Sequence, residues 1–195
     1  MRKLIIYILL LVFISISLTY LAFWRISQST KNTVLWVESN GGNVESDLPS
    51  WFYEAPKILQ GFIKPAVSVE VKSISLFGTQ VSDISNLSNL RSITNLDLSG
   101  TQVKDISHLR NLTSLCYLDL SGTQVKDISH LRNLTSLNYL NISETQVSNI
   151  RFLANLQKLK YLYMYNTLIS FDQVKDISSK NKNLNVLSEF KLPTP

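Results

Sequence analysis

The residues able to do covalent or metal chemistry are few. Cys116 is the one cysteine among 195 residues, so neither an intramolecular disulfide nor a thiolate metal cluster is available. It sits beside a strand-type leucine with no histidine in register, as a packing residue would rather than a nucleophile. His108 and His130 occupy equivalent places 22 residues apart. Two imidazoles stacked about 5 Å apart can share a metal. The neighbouring places in that column hold Asn86 and Phe152, which leaves the pair without a third ligand. Thr101–Leu115 recurs unchanged as Thr123–Leu137, and this duplication accounts for the pair without any metal. It also accounts for the columns Lys104/Lys126 and Arg110/Arg132, whose field Asp105 and Asp127 blunt. Asn40-Gly41-Gly42-Asn43 lacks the lysine and hydroxyl of a phosphate loop. Asn86, Asn111, Asn133 and Asn141 open Asn-x-Ser/Thr triplets, which the repeat itself generates and which matter only in a eukaryotic secretory route. No catalytic residue, metal or cofactor is expected.

The remaining chemistry is recognition. Three columns of residues recur at the repeat period. One runs Ser73, Asn95, Tyr117, Tyr139, Tyr161; the next Ser75, Asp97, Asp119, Asn141, Tyr163; the third Phe77, Ser99, Ser121, Ser143, Tyr165. Tyrosine suits strands and stacks on itself between them. An exposed aromatic patch is equally a binding surface, since tyrosine has few rotors and a polar tip. The candidate site is therefore Tyr117, Tyr139, Tyr161, Tyr163 and Tyr165 with Asp97, Asp119 and Asn141. Within it the later tyrosines form the centre, and the two aspartates the rim.

Positioning such columns requires a regular scaffold, and the sequence has one. Thr79, Thr101, Thr123, Thr145 and Thr167 recur every 22 residues, and Leu-x-x-Leu-x-Leu precedes them, as in Leu115–Leu120. Ile84, Ile106, Ile128 and Ile150 keep the same period, as do the columns headed by Leu87 and Leu90. The Leu-x-Leu run predicts a short strand with alternate residues inward. The remaining residues return to begin the next strand about 4.8 Å along. The threonine hydroxyls are placed to bond backbone in their own and adjacent turns. Asp83, Asp105 and Asp127 are placed to cap short helical or 3₁₀ turns.

The pattern L-x-x-L-x-L-x-G-T-Q-V-x-D-I-S-x-L-x-x-L resembles bacterial 22-residue leucine-rich repeats, including those of internalins. Val34–Gly42 and Leu48–Trp51 are similar to the leader of small membrane-anchored bacterial repeat proteins. The resemblance implies an α/β solenoid. Its arc would have a parallel concave sheet, short 3₁₀ or helical convex turns, helical caps at both ends and one N-terminal transmembrane helix. Asn86, His108, His130 and Phe152 replace the internalin proline, and Leu192-Pro193-Thr194-Pro195 is no wall-sorting signal. Internalin-type host adhesion therefore does not carry over.

Four regions follow: an anchor with its flanks over 1–27, an N-terminal cap over 28–66, repeats over 67–169, and a C-terminal cap and tail over 170–195. Leu4–Trp24 carries no charge, and 21 residues of helix span about 31 Å, close to a hydrocarbon core. A signal-peptide core is shorter and ends at small residues, which Tyr20 spoils here. Arg2 and Lys3 against Arg25 and Lys31 place the N-terminus in the cytoplasm and the repeats outside it, in the periplasm or on the cell surface. Thr30 opens a helix that Gly41-Gly42 stops; Asp47 and Pro49 open a second one carrying Trp51, Phe52 and Ile58. Ser170-Phe171-Asp172-Gln173 has capping-box spacing for a helix to about Lys180, before a last strand at Leu184–Leu187.

The formal charge of +5 shrinks once Arg2, Lys3 and Arg25 are set aside, leaving 16 basic residues against 14 acidic. No clustered basic face arises, so no nucleic-acid partner is expected. The expected function is a non-enzymatic interaction module, taking a protein or glycan on the concave face. The alternatives are a structural scaffold in a membrane complex and a secreted adhesion or effector protein released by signal-peptide cleavage. A repeat-bearing ubiquitin ligase would need an added catalytic domain with a reactive cysteine.

Overall fold

The computed structural model describes residue 30 and residues 32–46 and 70–189. The chain divides into two compact units. Residues 33–46 with 71–195 form the repeat unit. The other unit is residues 1–32 with 47–70, of which only Thr30, Asn32 and Glu70 are described. The Leu4–Trp24 run, the helix expected after Asp47 and the Pro193–Pro195 tail lie outside the described residues. Among the described residues no helix is long and apolar enough to cross a membrane.

The repeat unit opens on a helix, α1, whose residues 33–39 belong to this unit. It stops where expected, at Gly41, whose φ of +79° suits a residue without Cβ. Gly42 follows in tight quarters: a Cβ there would stand 2.7 Å from the Ser75 carbonyl oxygen and 2.7 Å from Leu76 Cδ2. The chain then enters β1 (Asn43–Ser46), which runs antiparallel to β2 (Val71–Ser75). Five more strands add in parallel: β3 (Asn95–Asp97), β4 (Tyr117–Asp119), β5 (Tyr139–Asn141), β6 (Tyr161–Tyr163) and β7 (Asn185–Leu187). From β2 to β6 the register equals the repeat: Ile74 faces Leu96, which faces Leu118, then Leu140, then Leu162. This is the leucine-rich solenoid with its parallel sheet that the spacing predicts.

The core is a stack of columns, each one residue per repeat. Leu96, Leu118, Leu140 and Leu162 are fully buried, as are Leu98, Leu120 and Ile142 beside them. Behind the sheet stand Val103, Val125 and Val147, then Ile106 and Ile150, then Leu109, Leu131 and Leu153, all without exposure. Each such side chain contributes on the order of 1.5–3 kcal/mol on burial. The return path is built from four 3₁₀ turns: Ser85–Leu87, Ser107–Leu109, Ser129–Asn133 and Arg151–Asn155. Asp83, Asp105 and Asp127 start them by accepting the amide of the second residue on, each at 2.8 Å. Those amide bonds, with the serine hydroxyls, hold all three carboxyls below the usual range. Asn149 does the same work for the last turn, bonding the Arg151 amide at 3.2 Å.

Two local expectations are corrected. The threonine hydroxyls serve only their own turn: Thr101, Thr123 and Thr145 each donate at 2.6 Å to the carbonyl three residues back. The bridge to the adjacent turn is backbone instead, with the Gln102, Gln124 and Gln146 amides donating to the Val81, Val103 and Val125 carbonyls. The hydroxyl bond thereby tightens the turn, since the Leu98 and Leu120 carbonyls also accept the Thr101 and Thr123 backbone amides at 3.3 Å. That turn has positive φ at Gly78, Gly100 and Gly122, and also at Glu144 (58°) and Asn166 (52°), where a Cβ makes the conformation less favourable.

The second correction is the capping box. The helix α2 (Phe171–Lys180) starts after Ser170 as expected, but Ser170 makes no side-chain cap. Gln173 turns instead to the last repeat, accepting the Ile150 amide at 3.0 Å and donating to the Ser148 carbonyl at 2.8 Å. Asn181, only 2% exposed, then takes the place of a core leucine and donates to the Leu156 and Leu159 carbonyls at 3.3 and 3.0 Å. The C-terminal cap is thus bonded to the solenoid through amides as well as through buried Val174 and Ile177.

The register makes a quantitative prediction. Leu118→Ala should lower unfolding free energy by about 2–5 kcal/mol in urea denaturation. Lys126→Ala, exposed on the return path, should stay within about 0.5 kcal/mol. Equal effects from the two would contradict the repeat register.

Candidate functional site

On each strand the central leucine points inward, so its two neighbours point out of the sheet. The columns Asn95–Tyr117–Tyr139–Tyr161 and Asp97–Asp119–Asn141–Tyr163 are therefore rows of paired residues across β3 to β6. Their spacing is that of a parallel sheet, about 4.8 Å, which suits ring-on-ring stacking. Tyr117 and Tyr139 stack with centroids 4.3 Å apart and planes 12° from parallel. Tyr139 turns its other side to Tyr163, diagonal to it on β6, at 5.1 Å and 37°. Tyr161 is left standing freer, 43% exposed.

The carboxylates beside the rings are held rather than free. Asp97 accepts the Ser99 amide at 2.9 Å and the Ser99 hydroxyl at 2.5 Å through one oxygen, and the Ser75 hydroxyl at 3.2 Å through the other. Asp119 accepts the Ser121 amide and hydroxyl at 2.8 and 2.6 Å, and the Asn141 side-chain amide at 3.1 Å. Asn141 accepts the Ser143 amide at 3.0 Å in its turn. The second column thus ends β3, β4 and β5 by bonding the turn that follows. Asp119 is buried, in the interior of the row rather than at its margin.

The third expected column does not lie on the sheet. Phe77, Ser99, Ser121, Ser143 and Tyr165 fall beyond the strand ends, in the turns. Ser99 and Ser143 are buried there. Tyr165 is 39% exposed, and its amide donates to the Ser143 hydroxyl at 3.1 Å. The structure therefore brings Tyr117, Tyr139 and Tyr163 into contact, sets Tyr161 beside them and places Tyr165 on the adjoining turn.

Burial raises the hydroxyl pKa of both Tyr117 and Tyr139 above 10.0. For Tyr117 the charge of Asp119 adds to this; for Tyr139 the neighbouring Tyr117 and then Asp119 do so. Both hydroxyls stay protonated, and so remain donors, across the neutral range. Alongside them a cleft of about 740 Å³ runs over the entry edge of β3 to β6, lined in part by Cys116, Asn138, Lys158 and Lys160. Cys116 is half-buried, its thiol 3.3 Å from the Ser114 carbonyl. The sequence signal for this cleft is the break in the repeat text, where Leu134-Thr-Ser-Leu-Asn138 becomes Leu156-Gln-Lys-Leu-Lys160. His130 stands 3.9 Å from Asp127 on the return path, on another part of the repeat.

The comparisons with known proteins meet this geometry. A family model for leucine-rich repeats, two copies to a match, fits residues 69–111 and again 113–155. The chain carries leucine-rich repeats. Internalin C2 of Listeria monocytogenes is 25% identical over 64% of this chain and 75% of its own, with a TM-score of 0.44. A second Listeria monocytogenes internalin is 23% identical over 66% of this chain and 53% of its own, with a TM-score of 0.43. A leucine-rich-repeat protein of Leptospira interrogans has the same fold at a TM-score of 0.51, with 19% identity over 55% of this chain and 28% of its own. No curated protein sequence matches the chain. Leucine-rich repeats are generally interaction modules, built as a rigid frame on which surface side chains vary.

The raised tyrosine pKa values fix the sign of an alkaline effect. A group whose folded pKa lies above its unfolded one contributes stability below the unfolded value and loses it as pH rises. Unfolding midpoints in urea should therefore fall as pH climbs past about 10. Tyr117→Phe with Tyr139→Phe should flatten that fall while keeping the stack. An unchanged alkaline slope would show that these hydroxyls ionise alike in the folded and unfolded chain.

Proposed function

We propose that the chain is a non-enzymatic interaction module that binds a protein partner on the open face of its leucine-rich sheet and is displayed from a membrane through Leu4–Trp24. The observation that carries the binding role is the tyrosine row, in which three ordered rings and the freer Tyr161 cross β4 to β6. Packed aromatics present contact area with little rotamer entropy left to lose, the property of residues that dominate interfaces. The return-path residues of the two duplicated repeats are the same, whereas one outward sheet position differs: Asp119 on β4 pairs with Asn141 on β5. Difference on a uniform frame is where partner choice resides.

The membrane part rests on the uncharged Leu4–Trp24 run and its length. The flanking charges set the N-terminus in the cytoplasm and the repeats outside it, facing the periplasm or the cell surface. The full-length protein should stay with membranes through carbonate extraction. Recovery of a soluble form beginning near residue 18 would identify a cleaved signal peptide instead.

The binding role is tested with a partner crosslinked to and captured by the full-length chain. Tyr161→Ala with Tyr163→Ala should abolish capture, since central aromatic anchors are each worth about 2 kcal/mol or more. The circular-dichroism melt should stay near that of the parent. Unchanged affinity in that folded double variant would remove the sheet face from the interaction.

A further inference from the structure

The cleft beside the tyrosine row differs in charge from the row itself. Lys158 and Lys160 are both exposed, and neither takes part in an ion pair among the described residues. No carboxylate lines the cleft. Asp97 and Asp119, which accept serine, asparagine and amide hydrogens, stand on β3 and β4, whereas Lys158 and Lys160 stand beside β6. Two lysines outside any ion pair among the described residues thus line the cleft together with Tyr117 and Tyr139.

We infer that this cleft takes an extended acidic segment of a partner protein, its carboxylates on Lys158 and Lys160 and its backbone or side-chain acceptors toward the tyrosyl hydroxyls. The inference rests on the interaction role proposed above and names the chemistry of the partner. The stacking of the middle ring favours a peptide over a nucleic acid. A single strand of nucleic acid gains its affinity by laying bases on open aromatic faces. Tyr139 has Tyr117 against one side and Tyr163 against the other, so its faces are occupied. The middle ring therefore offers its edge and hydroxyl, which with the two ammonium groups suit carboxylates and peptide carbonyls. The cleft also crosses four repeats in sequence, from Asn95 on β3 to Lys160 just before β6, as an extended chain would.

The test uses the full-length protein in detergent micelles and a fluorescein-labelled peptide of alternating glutamate and valine. A lysine–valine peptide and an oligothymidylate serve as rivals. The acidic peptide should bind, with anisotropy that declines as salt is raised. It should also slow alkylation of Cys116, the single cysteine, because that thiol lines the same cleft. Lys158→Glu with Lys160→Glu should weaken binding by about tenfold or more and shift preference to the lysine peptide. Lys104→Glu with Lys126→Glu, the same charge change on the return path, should leave binding within about twofold, since exposed charges act mainly within a Debye length. Equal loss from the two pairs, preference for the oligothymidylate, or no protection of Cys116 would overturn the inference. If the acidic peptide fails while partner capture still needs Tyr161 and Tyr163, the acidic-segment inference falls and the interaction role stands; if capture is also indifferent to the tyrosines, both fall.

Discussion

One turn of this chain has no interior of its own. Twenty-two residues make a three-residue strand, a tight turn and a 3₁₀ return, and the leucines between them face outward until another turn covers them. Stacking is therefore the interaction on which everything else depends. It buries the apolar columns, and it satisfies strand backbone through the neighbouring strand. Repetition in sequence follows from repetition in contact, because each apolar column must meet its own kind one strand away.

The ends of such a stack need other means. At the start, α1 and antiparallel β1 close the sheet, and Gly42 lets the chain approach β2 within a distance that any Cβ would block. At the finish, Gln173 and Asn181 supply hydrogen bonds to the last repeat where the helix replaces a further turn. Both residues are polar side chains doing for the cap what backbone does elsewhere, which is why Asn181 can stand in a leucine column without an unmet amide.

The sheet face inherits its order from the stack. Strand spacing brings side chains of equivalent position to ring-stacking distance, and the tyrosines of β4 to β6 use it. The same spacing would set Asp97 against Asp119, an unfavourable pair of like charges. Serine hydroxyls, turn amides and the Asn141 side chain accommodate it by binding both carboxylates. An aromatic row beside two exposed lysines is a surface whose chemistry suits recognition, and the proposed interaction role rests on it.

The period of the apolar residues is local, redundant and repeated five times in the threonine column, so the solenoid, its strands, its capped 3₁₀ turns and the helix up to Lys180 were legible from the sequence alone. Register came with it, since equal spacing allows only one in-phase alignment of the columns. The sequence also placed Tyr117, Tyr139, Tyr161 and Tyr163 on one face. It did not place Tyr165 and the serines correctly, because nothing in the spacing says where a strand yields to its turn. Nor did it reveal that Tyr139 would lean to Tyr163 rather than to Tyr161, that Gln173 would leave its own helix cap for the Ile150 amide, or that Lys158 and Lys160 would share a cleft with Cys116. Those outcomes are rotamer and partner choices among side chains from different repeats. The linear order sets which groups are neighbours, but only their packed distances decide which neighbour each one takes.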